Sequence, residues 1–534
     1  MKLNCLTLAL LLLFCVAKKV NSYKILTYCV RFGQSHVFFI GGISDQLAEA
    51  GHNVTYLQTE LVAQTTNPGA SVANVLLRKA DFKLDDALLN QDRVWKGDFS
   101  LSETINQYSQ FGASLAKSCY HLLKDEELMN RLAREEFDIG IGEHYDVCTY
   151  ALFHRIGIKK FISAYAIPMF PIAFIQLGLP LTTSYLPLFS NPTTPEMTYG
   201  QRFKNFLSAP VFNLISYQCF GKPLKTAINK ALGYELTPAN FSPKSSYFFV
   251  NTDEHLDYVQ PITHKIVHIG GLRLKDPKPL SPEFEGIAKQ SVRGIVIISF
   301  GTVALSCHMT NQTKTEIVEF ISNFPDITFI WKYEKNDGAI PPLSNLYLKK
   351  WIPQSDLLGH PKTLAFITHA GMNSLSESAY RGVPLIAIPL FADQKRNALM
   401  AEYRKIGRVI EKSKLTENTL TYELNKILSP DHPYRANAKH MAQMIQAKPF
   451  KPAQRVVQLV EHAIKFNVSE NFDLYARHLS TIQFYGIDVY APLALGLTLI
   501  LTMLFFMLKQ LVRVTCWIIL GGSTKTVKKE NKLD

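Results

Sequence analysis

Short apolar runs recur along this chain, each followed by a small polar turn and then by an amphipathic stretch. Residues 24–30 form such a run, and Arg31-Phe32-Gly33-Gln34-Ser35 is its turn. A helix is predicted over 37–50, with Ser35 as a cap near its start and Gly51 closing it, and a second strand over 53–59. Strand, turn, helix, strand is the opening of a βαβ unit. The same order returns at 137–142, 146–156 and 158–164, and 247–251 reads as a further strand. Residues 61–129 are polar and read as helical with long connections. From 168 to 210 the pattern breaks into Pro, aromatic and Leu residues without a clear period. That stretch reads as loop-rich, lining an apolar cavity or touching a membrane face, or as an irregular packed insertion. The chain from there to Leu232 reads as mostly helical.

The segment KDPKPLSPEF, rich in Pro and charge, is the best linker and places a boundary near 275–285. It divides an α/β domain at 23–278 from a second at 279–466. The second half opens with a buried strand at 294–300, continues with a helix at 313–323 and strands at 327–333 and 346–351, and reaches its most informative stretch at 351–397. There an apolar run at 364–368 ends in His369-Ala370-Gly371, Asn373-Ser374 can cap a helix to Tyr380, and Arg381-Gly382 closes it. A second apolar run at 384–390 leads into Phe391-Ala392-Asp393-Gln394 and another helix. Helices at 416–428, 434–446 and 452–465 follow. The fold class is α/β, with two Rossmann-like domains. In such sheets ligands bind beyond the carboxyl ends of the strands, where His369, Gly371, Asn373, Ser374, Asp393 and Gln394 would lie. A small turn lets backbone N–H groups reach a diphosphate, and the helix N-terminus favours its charge.

Composition adds less. The formal charge of +13 over 534 residues is scattered, without a basic stripe interleaved with aromatics, so no nucleic-acid partner is expected. Lys2 followed by an apolar core at 6–16 predicts a signal peptide over 1–22. Residues 489–508 carry no charge and would extend about 30 Å as a helix, enough for one bilayer crossing. Residues 467–488 read as the return and juxtamembrane segment. The basic tail 509–534, with Lys509, Arg513 and Lys525 among others, then places the bulk of the chain on the lumenal side. Cys29, Cys119, Cys148, Cys219 and Cys307 are far apart and odd in number, and read as buried small residues rather than a disulfide framework. Sequons occur at Asn53, Asn240, Asn311 and Asn467, and no metal-ligand spacing is found.

The motifs W-x-P-Q, T-H-x-G-x-N-S-x-x-E, G-V-P and P-x-F-A-D-Q, in register over 351–397, closely resemble the signature of the UDP-glycosyltransferases, of the animal membrane-anchored UDP-glucuronosyltransferase type. The resemblance implies a GT-B architecture, two Rossmann-like domains facing a cleft, whose last helix crosses back to the first domain. It implies transfer of a sugar from UDP to a small lipophilic acceptor with inversion, no cofactor and no metal, with UDP-glucuronate or UDP-glucose as co-substrate. His36 occupies the place of the family's catalytic base, and a helix N-terminus would keep its ring neutral. Glu143 takes the place of the acid that orients it, where vertebrate members have Asp, and Asp146 is its competitor. Trp351 would stack on uracil, Gln354 would bond near the ribose or base, and Glu377 would accept from ribose hydroxyls. His369 with Gly371, Asn373 and Ser374 would hold the diphosphate, flanked by Ser299 and Thr302. Asp393 and Gln394 would bind the sugar hydroxyls. The expected setting is the endoplasmic-reticulum membrane, single-pass, with catalytic domains lumenal, and a homo- or hetero-oligomer is left open. The rivals are a glucosyltransferase of the same family, a non-catalytic UDP-sugar-binding subunit and an epimerase of related shape.

Overall fold

The computed structural model describes residues 22–61, 67–82, 94–97, 100–188, 191–466 and 468–520. Residues 1–21 of the predicted signal peptide, the end of the basic tail and Asn467 of its sequon lie outside them. Two compact units are present, one through Leu474 and one from Tyr475 onward.

The first unit holds two parallel sheets. The N-terminal sheet contains β1 (Lys24–Arg31), β2 (Asn53–Glu60), β3 (Asn74–Arg78), β4 (Ile139–Glu143), β5 (Phe161–Tyr165), β6 (Phe248–Val250) and β7 (Ile266–His268), in the order β3-β2-β1-β4-β5-β6-β7. Its helices include α1 (Gln34–Glu49), α2 (Leu101–Leu123), α3 (Cys148–Arg155), α4 (Tyr199–Ser216) and α5 (Lys222–Leu232). The second sheet contains β8 (Gly294–Ser299), β9 (Ile327–Lys332), β10 (Leu346–Lys349), β11 (Thr363–Thr368), β12 (Leu385–Ala387) and β13 (Gly407–Val409), in the order β10-β9-β8-β11-β12-β13. Two of its helices, α6 (Met372–Arg381) and α7 (Gln394–Tyr403), follow the strands that carry the signature. In each sheet the strand order reverses beside the first strand, between β1 and β4 and between β8 and β11. Those two switch points are where a crevice opens at the carboxyl edge.

The central strands are apolar on both faces because helices cover both. β1 is buried from Ile25 to Arg31, and β8 and β11 are buried throughout. Capping boxes start α2 and α4. Ser100 accepts from the Glu103 N–H at 3.3 Å while Glu103 accepts from the Ser100 N–H, and Thr198 and Gln201 do the same for α4. Helix α8 (Pro452–Phe466) returns to the first sheet, where Val456, Val460 and Ala463 are buried in the same core as Ile25 and Ile40. In the second unit, α9 (Ile487–Ile519) is long and apolar enough to cross a membrane and includes the predicted span.

The structure corrects several expectations. Helix α1 begins at Gln34 with Gly33 in the cap position, so Ser35 lies inside the first turn and does not cap it. Gly371, not Asn373 or Ser374, precedes α6, and those two side chains lie in its first turn. Within 61–129 the short edge strand β3 appears; its partly exposed pattern lacks the apolar run that marked the other strands. The segment 168–210 contains a short helix, Pro171–Gln176, and most of α4, which contains Pro210. Helix Pro282–Gln290 starts inside the predicted linker, with Pro at its first turn. Cys119 and Cys148 form a disulfide between α2 and α3, with Cα atoms 5.7 Å apart. The expectation of unpaired buried cysteines therefore fails for this pair and describes Cys29, Cys219 and Cys307, which are buried and free.

Candidate active site

His36 sits in the first turn of α1, directly after β1, and Glu143 is the last residue of β4. Because β1 and β4 are neighbours, with Tyr28 opposite Gly142, the two side chains meet at the switch point. His36 Nδ1 lies 2.8 Å from Glu143 Oε1 and 2.9 Å from Oε2. The carboxylate is buried and also accepts from the Ala166 N–H at 3.2 Å. Phe32 and Tyr145 pack on the imidazole, with ring centroids 4.4 and 5.4 Å away. Among the described residues Nε2 of His36 has no protein partner, and the residue lines a cavity of about 1120 Å³ between the halves. Asp146 is aimed elsewhere. Its Oδ1 accepts from the Cys148 N–H at 3.1 Å, and its Oδ2 has no partner, the nearby Tyr28 hydroxyl being engaged with Thr59 at 3.2 Å. Burial pushes this carboxyl up to about 7. His144 is a buried neighbour bonded to the Tyr150 hydroxyl at 2.7 Å, and burial lowers it to about 4.

The opposite wall comes from the second half. Ser299, Thr302, Trp351, Gln354, His369, Gly371, Asn373, Ser374, Glu377, Asp393 and Gln394 all line the same cavity as His36. Trp351 is 65% exposed, so it is no core aromatic, and the Lys332 ammonium lies 5.9 Å from its ring centroid. Gln354 donates to Glu377 and, at 3.3 Å, to Ser374. Burial holds the Glu377 carboxyl up at about 7, although the Gln354 bond pulls the other way. Burial, with Lys332 nearby, lowers His369 to about 4, leaving a neutral ring. A Cβ on Gly371 would stand 2.6 Å from His369 Nε2, and one on Gly301 2.8 Å, so only glycine fits against that imidazole. Among the described residues Ser299 Oγ is buried without a partner, while Thr302 is exposed.

Two alanines stand close before the starts of α6 and α7 in the left-handed region, Ala370 at φ 61° and Ala392 at φ 52°. Such strain persists where surrounding contacts impose it. Here Asn397 supplies one such contact, donating both to the Ala370 carbonyl at 3.1 Å and to Asp393 Oδ2 at 2.6 Å. Burial raises the Asp393 carboxyl, and the Asn397 bond pulls it back. Gln394 Oε1 accepts from the Leu390 and Phe391 N–H groups at 2.8 and 3.1 Å. Asn251, at the end of β6, donates to Asn373 Oδ1 at 3.0 Å and so joins the two walls. Sequence reading missed Asn251, Asn397, Lys332 and Tyr145. Only Tyr145 carried a local signal, its place two residues after Glu143.

Two parallel α/β halves with one cleft between their carboxyl edges define a fold of the GT-B class. Solved structures share the fold: Os79 from O. sativa in complex with U2F and trichothecene has a TM-score of 0.58 at 17% identity, covering 82% of this chain and 99% of that one. The calicheamicin glycosyltransferase CalG4 has a TM-score of 0.54 at 16% identity, covering 84% and 99%. The family model described as UDP-glucoronosyl and UDP-glucosyl transferase matches residues 24–526, and the chain belongs to that family. It is 30% identical over 494 residues to human UDP-glucuronosyltransferase 3A2, covering 89% of this chain and 91% of the relative. Human UDP-glucuronosyltransferase 1A1 is 28% identical over 512 residues, covering 94% and 93%. The chain is a UDP-sugar glycosyltransferase.

Proposed function

We propose that the enzyme transfers glucuronate from UDP-glucuronate to a small lipophilic acceptor, inverting the anomeric carbon, with His36 as general base. The observation that carries this reading is the His36–Glu143 pair facing the donor-side residues across one cavity. Glu143 holds Nδ1–H, which fixes the tautomer and leaves Nε2 to take the acceptor proton. The acceptor oxygen attacks the anomeric carbon as that proton moves to Nε2, and the bond from the carbon to the UDP oxygen breaks. UDP departs with the electron pair, and Glu143 balances the imidazolium. On the donor side, Trp351 stacks on the base and Gln354 with Glu377 binds the ribose. Neutral His369 and the N–H groups of Gly371, Asn373 and Ser374, flanked by Ser299 and Thr302, receive the diphosphate. Asp393 and Gln394 take the sugar hydroxyls. The aromatic lining from Phe32, Phe170, Phe212 and Phe220 supports a lipophilic acceptor. The apolar helix α9 and the sequence around it support a membrane-anchored enzyme facing the lumen of the endoplasmic reticulum.

The test is mass spectrometry of products formed by the full chain with a mixed acceptor panel, offering UDP-glucuronate and UDP-glucose side by side. Glucuronides are expected; glucosides alone would assign the other donor. His36→Ala is expected to lower turnover by roughly 100- to 10,000-fold while UDP still binds. Unchanged transfer by that variant would remove His36 as base. Donor turnover without acceptor would favour an epimerase.

A further inference from the structure

We infer that His144 selects the acceptor: its Nε2–H donates to an oxygen that the acceptor carries besides the hydroxyl that receives the sugar. The role rests on the cavity being the acceptor site of the proposed reaction. His144 follows the last residue of β4, and its N–H continues the ladder by donating to the Ala164 carbonyl at 3.0 Å. Side chains alternate between the faces of a sheet. Glu143 therefore turns to His36, and His144 turns the other way, where Nδ1 lies 2.7 Å from the Tyr150 hydroxyl and 3.2 Å from Ser242 Oγ. The residue is 5% exposed and lines the same cavity as His36. Among the described residues its Nε2 has no protein partner. A histidine that only packed a core would have no reason to keep one nitrogen unmet at a cavity wall.

The hydroxyls behind the ring fix its proton. Ser245 meets Ser163, Ser163 meets Tyr150, and Tyr150 and Ser242 both meet Nδ1. These four contacts hold one proton each, and the four hydroxyls supply four. Nδ1 is therefore an acceptor, and the ring proton is on Nε2. A proton on Nδ1 would leave one buried donor unpaired, which costs about 1–3 kcal/mol. Burial lowers the ring to about 4, so the donor is neutral and suits a carbonyl or ether oxygen. Nearby lining residues are polar too: the Tyr145 hydroxyl, Gln176 Oε1 and Asn213 Oδ1 are buried without a partner among the described residues. A few polar groups in an otherwise aromatic wall are what orient a small ligand. The acceptor class is then a hydroxylated compound with a second, carbonyl or ether, oxygen away from the reacting hydroxyl.

The test uses the full chain with UDP bound and two fluorescent two-ring phenols, 7-hydroxycoumarin, which has a lactone carbonyl, and 2-naphthol, which has no second oxygen. Affinities are read by fluorescence anisotropy in the parent, in His144→Phe and in His144→Asn, whose amide is too short to reach the same oxygen. UDP binding checks that each variant is folded, and where His144→Phe has lost it, His144→Asn carries the comparison. The ratio of the two affinities is expected to move by roughly 10-fold against 7-hydroxycoumarin on substitution. A ratio equal in parent and variants would overturn the role of His144. Binding of neither phenol would overturn it together with the acceptor site. The shift in ratio without sugar transfer to either phenol would support the contact and count against the proposed reaction alone.

Discussion

Trp351 is large, apolar and two-thirds exposed on the wall of the cavity, so its removal leaves no core defect. Stacking of a base on an aromatic ring contributes about 1–3 kcal/mol. Trp351→Ala is therefore expected to raise the KM for the UDP-sugar by roughly 10-fold, with the thermal midpoint unchanged. A fall in stability with KM intact would return the residue to a packing role. Asp146 makes the opposite case, a buried carboxyl with one oxygen unpartnered and its titration raised to about 7. In the unfolded chain it would titrate near 4. Between there and about 7 the folded protein keeps a proton that the unfolded chain has released. Stability contributed by this group therefore falls as pH rises through that window and is level above it. Asp146→Asn is expected to raise the thermal midpoint at about pH 8 and to leave it unchanged near pH 4; an equal shift at both would sink the idea. His36 and Glu143 were singled out through the family resemblance, each following an apolar run at a strand end. The choice between Glu143 and Asp146 was not legible, since both stand within one turn of the same strand and only the fold shows which carboxylate reaches the ring.

At the level of elements, the strands with uninterrupted apolar runs were legible, and the boundaries of β1, β8 and β11 lie within a residue or so of the pattern. β3 was not, because an edge strand with exposed Leu77 has no such run. The Cys119–Cys148 bridge was hidden for a different reason. The two residues are 29 positions apart on different helices, and nothing local marks α2 and α3 as neighbours. Closing a loop of that length constrains the unfolded chain by about 3–4 kcal/mol. Cys119→Ser is accordingly expected to lower the thermal midpoint and to make it insensitive to added reductant, whereas the parent should drop to the same value when reduced. A parent indifferent to reductant would show that the bridge contributes nothing. The bridge ties α3, which directly follows Glu143–Asp146, to α2, so it braces the acceptor-side carboxylate from behind. UDP binding, proposed here for the second half, is expected to survive its loss.

For the whole molecule, the proposed reaction needs the walls carrying His36 and Asp393 to hold one spacing, and the contacts that set it join residues far apart in sequence. Arg396, on the same helix as Gln394, bonds Asp257 of the first half at 2.7 Å, and both are buried. Asp257 Oδ1 also accepts from the Tyr258 N–H at 2.7 Å, and the guanidinium lies 4.9 Å from the Tyr258 ring centroid. Lys448 adds a bond to Asp253 at 2.6 Å on the same side. None of these pairs could be read from the sequence, since Arg396 and Asp257 are 139 positions apart and each looks like an ordinary solvated charge. Removing one partner leaves a charge buried alone, which costs about 3–5 kcal/mol, whereas replacing both by apolar groups of similar volume costs far less. Arg396→Met is therefore expected to unfold several degrees early and to lose turnover. Adding Asp257→Leu should recover most of the stability. If the pair serves only stability, the double variant regains turnover as well. If it sets the spacing of the two walls, kcat stays low in the double variant although the fold is restored, while the KM for the UDP-sugar is near that of the parent. The second outcome is expected, because α7 begins at the residues proposed to bind the donor sugar and the guanidinium fixes that end of the helix against the half that carries His36.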